Sequence, residues 1–295
     1  MSRLAGILLI LISAVSFGIM PILAHFAYEA GSDPTTVLFL RFLAAGLILL
    51  VVAYFEGKPL PGGKILLGLV GMGVIGYVGQ SFLFFNALTM ASTSLVALIL
   101  YLYPVLVTFF SVLIFKEKLT MVKVIALALA MTGAVLTIGP NGGGQPLGII
   151  MAFSAAVIYS IYILVGSKIL KSASPIQATT IIMVSTFFVY AGLAFWQGLH
   201  LPQTNLGWAA VAGVAVICTV VASLTFLAGL VRIGPANAAT LSTAEPVTSV
   251  FLASLLLHDS LTPVRLLGGL LILAAVVILT RSEIAVSMPA VVEIK

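Results

Sequence analysis

Ten apolar stretches alternate along the chain with short breaks rich in glycine, proline and polar residues. They run Leu4–Ala27, Thr35–Phe55, Lys64–Leu88, Thr93–Phe115, Val122–Ile138, Leu147–Leu170, Ile176–Trp196, Trp208–Leu230, Ala236–Leu257 and Val264–Thr280. Each is close to the ~20 residues that carry a helix through a bilayer's hydrocarbon layer. The regular apolar–polar alternation of half-buried strands is absent, so the pattern predicts helices. The breaks are turn formers: Gly31-Ser32-Asp33-Pro34, Pro59–Gly63, Gly139–Gly144, Ser174-Pro175, Gly234-Pro235 and Thr262-Pro263. Thr262-Pro263 reads as an N-cap followed by proline at the first helical position, where a missing N–H costs nothing. None of the connections is long enough to hold a soluble domain.

The pattern is written twice, at an offset of 142 positions. Gly6-Ile7 aligns with Gly148-Ile149, Ala14-Val15 with Ala156-Val157, Ser81 with Ser223, and Phe84 with Phe226. Further on, Pro104-Val105 aligns with Pro246-Val247, Glu117 with Asp259, Leu119 with Leu261, Thr120 with Thr262, and Val122 with Val264. Residues 1–140 and 141–281 therefore form two five-helix repeats, joined at the glycine-rich Gly139–Gly144. An odd number of crossings per repeat forces the second to enter from the opposite face, as in many secondary transporters. The predicted fold is all-α and integral to the membrane: ten transmembrane helices in a 5+5 inverted-topology repeat. Residues 282–295 are polar or weakly apolar and are expected to form a disordered tail.

Composition agrees with this plan. The chain is 62% hydrophobic and 7% charged, against ~25% charged in soluble domains, too little polar surface to cover a water-soluble globule. The net charge of +5 points to no nucleic-acid partner, because the basic residues sit in short loops rather than on one face of a polar domain. Of the 13 Lys and Arg residues, all but Arg41 and Arg265 fall on the side that carries both termini. The positive-inside rule then places both termini in the cytoplasm of a multi-pass protein of the inner (plasma) membrane. The first apolar run exceeds the ~7–15 residues of a signal-peptide core, so it reads as a retained crossing. The lone Cys218 lies in an apolar run and offers neither a disulfide nor a metal site.

Glu245 is the sharpest chemical signal. It falls about nine residues into its apolar segment, near mid-bilayer at ~1.5 Å per residue, where a carboxylate costs a few kcal/mol unless paired, hydrated or protonated. Two readings stay open: a substrate or proton site, or a protonated carboxyl that hydrogen-bonds a neighbouring helix. Pro246 cannot donate to the carbonyl of Ser242, nor Pro104 to that of Leu100. Both prolines are expected to break their helices, and the freed carbonyls to accept from a substrate ammonium or from a nearby hydroxyl or water. Tyr77, Gln80, Ser81 and Phe84 share one face of the third segment, beside Gly71, Gly73, Gly76 and Gly79, which suit close helix packing. Phe226 and Ser223 repeat that face in the eighth segment. Tyr103 occupies the position related to Glu245 by the repeat, with Tyr101 nearby, and Phe17, Tyr159 and Tyr162 are candidate wall residues. Plain packing is the alternative for each aromatic position. Arg41 lies about six residues into its segment and is expected to snorkel to the outer interface, with pairing to Glu245 the alternative. Asp259 and Glu117 are expected to serve in helix capping and tight turns.

Several chemistries have no residues to carry them. There is no phosphate loop and hence no ATP motor, no His/Cys/Glu cluster with metal-ligand spacing, and no nucleophile elbow. No cofactor, metal or catalytic residue is predicted, and an enzyme is not expected.

Pro104 with Phe115-Lys116-Glu117-Lys118-Leu119-Thr120, Glu245-Pro246-Val247 with His258-Asp259-Ser260-Leu261-Thr262, and Arg41-Phe42 together resemble the drug/metabolite transporter superfamily, in its EamA-type ten-helix members. The resemblance covers about residues 4–281. It departs from the usual pattern at Asp259, where the family more often has glutamate. A narrower similarity, to YddG-type amino-acid exporters, implies efflux of aromatic or other apolar amino acids through a cavity lined by the third, fourth, eighth and ninth helices. The expected function is alternating-access export of small amphiphilic metabolites. Tyr77, Gln80, Ser81, Phe84, Tyr101, Tyr103, Phe226, Ser242 and Glu245 are the candidate lining, and Glu245 is the candidate for proton coupling. A multidrug or lipophilic-cation exporter and a passive facilitator are the alternatives. The expected partners are a small-molecule substrate and the lipid bilayer.

Overall fold

The computed structural model describes residues 3–115, 120–138, 144–169, 173–233, 241–242, 244–259 and 261–287. Glu117, Leu119, most of the glycine-rich linker and the last eight residues of the expected tail lie outside them, as does the side chain of Pro104.

The first two crossings are Arg3–Glu29 and Pro34–Glu56. The third is Gly63–Gly71, a π-helical segment Met72–Tyr77, and Val78–Ala87. The fourth is split into Thr93–Leu100 and Tyr103–Phe115, and the fifth is Met121–Ile138. The sixth and seventh are Pro146–Ile169 and Pro175–Gln197. The eighth again holds a π segment, Val216–Val221, between Asn205–Ala215 and Ala222–Ile233. Ala244–Leu256 forms the ninth, and Pro263–Ser287 the tenth. The tenth helix therefore continues past Ser282, where a disordered tail was expected, because Ile284-Ala285-Val286 prolongs its apolar run.

Helix starts follow sequence chemistry. Asp33 caps the second helix, its Oδ1 accepting from the Thr36 amide at 2.7 Å. Thr262 caps the tenth and Thr120 the fifth, accepting from Arg265 and Lys123 amides at 3.2 and 3.4 Å. Asp259 also caps, but in trans: its Oδ2 accepts the Ser94 amide of the fourth helix at 3.0 Å.

The main helix contacts cross between the repeats. The first helix packs on the eighth and ninth, and its counterpart, the sixth, packs on the third and fourth; the second meets the seventh, and the fifth meets the tenth. The halves are thus interleaved rather than set side by side. Small residues make this possible, since apolar burial drives little association within lipid and close backbone approach matters more. The fifth helix buries Ala126, Ala130 and Ala134, and the tenth buries Ile272, Ala275 and Val276. A Cβ at Gly133 would lie 2.6 Å from the Gly268 carbonyl. Of the third-segment glycines, Gly73, Gly76 and Gly79 stand against the seventh and sixth helices, while Gly71 has nothing within 4 Å.

Gly18 brings the first helix onto the ninth: a Cβ there would lie 2.7 Å from both the Glu245 carbonyl oxygen and Thr248 Cβ. Ser249 Oγ donates to the Gly18 carbonyl at 2.8 Å across the same contact. Gly18→Leu is expected to lower stability by about 1–3 kcal/mol, the range for overpacking. Denaturation of the purified protein in detergent checks it.

The outer surface of the helices is apolar, with Leu47, Leu67, Leu113, Phe188 and Leu270 exposed. Aromatic side chains ring both ends: Tyr54 and Phe55 on one face, Phe195, Trp196 and Trp208 on the other, the distribution of a bilayer's interfacial belts. Six helices are individually long and apolar enough to span among the described residues. The shorter ones are interrupted helices or border undescribed segments. This is a multi-pass membrane fold.

Candidate functional site: a polar and aromatic cavity between the repeats

The fourth crossing is interrupted, and its break meets the start of the ninth helix, Ala244–Leu256. The fourth stops at Leu100, turns through Tyr101-Leu102 and resumes at Tyr103, one residue before Pro104. In the ninth, Pro246 lies near the start of Ala244–Leu256 and carries no N–H to donate to the Ser242 carbonyl four residues earlier. The Ser242 carbonyl that Pro246 leaves without a helical donor accepts the Tyr101 hydroxyl. Of the two partners expected for that freed carbonyl, the structure supplies the neighbouring hydroxyl.

Beside this junction lies a cavity of about 240 Å³ lined from both repeats. The first half contributes Phe17, Arg41, Tyr77, Gln80, Phe84 and Tyr103, and the second Tyr159, Tyr162, Ser223, Phe226, Ser242 and Glu245. Tyr101 lines a smaller void of about 20 Å³ beside it, together with Glu245 and Pro246. Ser81 is not among the lining residues; it is buried, with Oγ 2.6 Å from the Tyr77 carbonyl and 2.9 Å from the Tyr190 hydroxyl. The lining reaches beyond the third, fourth, eighth and ninth helices to the first, second, sixth and seventh, which add Met20, Thr179 and Met183 among others. Nothing in the residue types distinguishes Met20, Phe85, Leu100, Thr179, Met183 or Leu227 from ordinary core positions; only helix placement turns them inward.

A row of rings forms one wall. Tyr101 and Tyr103 lie 5.5 Å apart between centroids, Tyr103 and Tyr159 4.8 Å, Tyr159 and Tyr162 5.9 Å, and Tyr162 and Tyr77 5.8 Å. Phe42 continues it at 5.6 Å from Tyr77. At one end of the row, Glu245 lies within electrostatic reach of Tyr101, Tyr103 and Tyr159. Its carboxylate makes no hydrogen bond or ion pair among the described residues.

Arg41 stands at the other end, and its placement corrects the sequence expectation. Instead of snorkelling to an interface it is 2% exposed. Val37, Leu38, Arg41, Phe42, Ala45 and Leu49 make one buried helical stripe, so the side chain projects into protein and never meets the lipid it was expected to climb. Its Nε donates to Thr219 Oγ1 at 2.9 Å and an Nη to the Tyr77 hydroxyl at 3.3 Å. Tyr77 and Thr219 are related by the 142-position repeat, and each lies in a π segment. Such segments are rare and occur most often at functional sites. One guanidinium therefore joins equivalent positions of the two halves.

A second groove, about 250 Å³, lies between the fourth, ninth and tenth helices. Apart from Arg265 its lining is apolar and includes the exposed Phe251 and Leu270. It has no convergent polar groups and matches a surface that packs lipid.

A duplicated helical membrane fold with a partly polar cavity between its halves fits the transporter class. The chain belongs to the EamA-like transporter family, whose model matches residues 4–139 and again 146–281. It is 24% identical over 277 residues to an uncharacterized transporter, YcbK, of Bacillus subtilis, covering 90% of this chain and 89% of that one. Similarity to the inner membrane transporter YicL of Salmonella typhimurium, also uncharacterized, is 26% over 294 residues, covering 93% and 95%. The aromatic amino acid exporter YddG of Ancylobacter novellus is 25% identical over 186 residues, covering 61% of this chain and 64% of that one. A solved crystal structure shares the fold at TM-score 0.69 and 19% identity, covering 97% of this chain and 100% of that chain.

Proposed function

We propose that the protein exports apolar or aromatic amino acids, or closely similar amphiphiles, by exposing the central cavity to each side of the membrane in turn. The observation that carries this reading is the cavity itself. At about 240 Å³ it falls below the ~300–1,000 Å³ of pockets for drug-sized ligands, which favours cargo the size of an amino acid. The tyrosine row suits an apolar side chain, and Gln80, Ser242 and Glu245 offer polar contacts. The name of the YddG relative supports the same substrate class. Glu245 is also the group proposed to exchange a proton for cargo. Loop charges and the names of relatives such as YicL support an inner-membrane location with both termini in the cytoplasm.

Reconstituted vesicles test this directly. Saturable uptake of labelled phenylalanine or leucine is expected, with uptake of one inhibited by the other. A second reading, export of lipophilic cations, is favoured by a carboxylate that has no ion pair among the described residues and lies beside stacked rings. Accumulation of tetraphenylphosphonium with no amino-acid uptake would establish it in place of the first. Counterflow that ignores an imposed pH gradient would make the protein a passive facilitator.

A further inference from the structure

We infer that Arg41 binds the carboxylate of the cargo, so that a zwitterion is held between Arg41 and Glu245, an assignment that rests on the transport reading above. A charge within the membrane is costly and needs compensation. Arg41 is 2% exposed, yet its hydrogen bonds go to two neutral oxygens, Thr219 Oγ1 and the Tyr77 hydroxyl. These engage only part of a guanidinium's five N–H donors. The rings of Phe42, Phe85 and Tyr77 lie 5.0, 5.5 and 6.0 Å from its central carbon and add an attraction short of neutralisation. Arg41 has no ion-pair partner among the described residues, although it lines the cavity. Its planar fork matches a carboxylate with two parallel hydrogen bonds.

The same cavity holds Glu245, which also has no ion pair among the described residues. Two opposite charges share a small chamber and do not join each other; the tyrosine row runs between them. A small molecule with a carboxylate and an ammonium satisfies both, with its apolar side chain against the rings. Arg41 then acts as a selectivity residue: an amine lacking the carboxylate keeps Glu245 and the rings but loses the fork.

Purified full-length protein decides this with three probes: phenylalanine, phenethylamine and 3-phenylpropionate. Binding is read by thermal stabilisation in detergent and by competition against labelled phenylalanine in vesicles. Phenylalanine is expected to bind about 10–100-fold more tightly than either fragment, the range for a lost hydrogen bond to a charged group. Arg41→Lys, which keeps the charge and loses the fork, is expected to remove most of the advantage over phenethylamine while leaving phenethylamine binding unchanged. The ligand series on the natural protein stands alone should that variant fail to fold. Phenethylamine binding as tightly as phenylalanine, or an unchanged ratio in Arg41→Lys, overturns the role of Arg41 and leaves amino-acid transport standing. Accumulation of tetraphenylphosphonium with none of the three probes bound overturns the amino-acid reading, and the Arg41 assignment with it.

Discussion

Replacing Glu245 by glutamine is expected to lower amino-acid uptake by about 100-fold, the upper end of the range for a hydrogen bond to a charged group, and to flatten its pH dependence. Glutamine keeps the shape of the side chain and its capacity for hydrogen bonds but removes the charge that an ammonium requires. With Glu245 in place, affinity for an ammonium-bearing substrate should weaken as pH falls, because a protonated carboxyl offers no charge. The variant has nothing to titrate at that position. Stability should hold, since the carboxylate makes no hydrogen bond or ion pair among the described residues that the change would break. Initial rates in vesicles across mildly acidic to mildly alkaline pH check both effects. An unchanged rate with an unchanged pH profile would remove Glu245 from binding and from coupling alike.

Tyr101→Phe is expected to destabilise the protein by about 1–3 kcal/mol, the cost of leaving a partly buried backbone acceptor without its donor. The Tyr101 hydroxyl donates to the Ser242 carbonyl, which has no helical donor because residue 246 is proline. The loss should therefore depend on Pro246. Pro246→Ala restores an N–H at the position that bonds the Ser242 carbonyl in an unbroken helix, so it should rescue much of the Tyr101→Phe defect. A double-mutant cycle of melting or denaturant midpoints measures that coupling. Additive losses would show that the hydroxyl and the proline act independently. The rescued double variant is also expected to transport poorly, because a continuous ninth helix would alter the junction with the fourth.

Much of the fold was legible because a bilayer imposes a simple rule: every backbone polar group within it must be satisfied, so a spanning segment declares itself by length and apolarity. One helix start was readable for an equally local reason, as Thr262-Pro263 shows. The duplication was visible in Pro104 and Pro246, in Ser81 and Ser223, and in Phe84 and Phe226. The candidate site was partly readable, since Glu245 and Gln80 are costly in lipid wherever they point, Phe84 followed from helical spacing, and Tyr103 and Phe226 from the 142-position repeat.

Arg41 marks where sequence reasoning ends. Distance from a helix end suggested an escape to the interface, but whether a side chain faces lipid or protein depends on which helices cover that face. Ser81 shows the converse, a polar residue on the right helix that turned to Tyr190. The two π segments also left no signature in composition; they came to light only through the backbone. By itself the sequence determined that ten helices cross the membrane in two related sets, because hydrophobic length and repetition are properties of the chain alone. Tertiary structure decided that the sets interleave, that Tyr101 serves the Ser242 carbonyl, and that Arg41 and Glu245 share one chamber. Those outcomes depend on helix rotation and contacts between residues more than two hundred positions apart, and no local pattern encodes them.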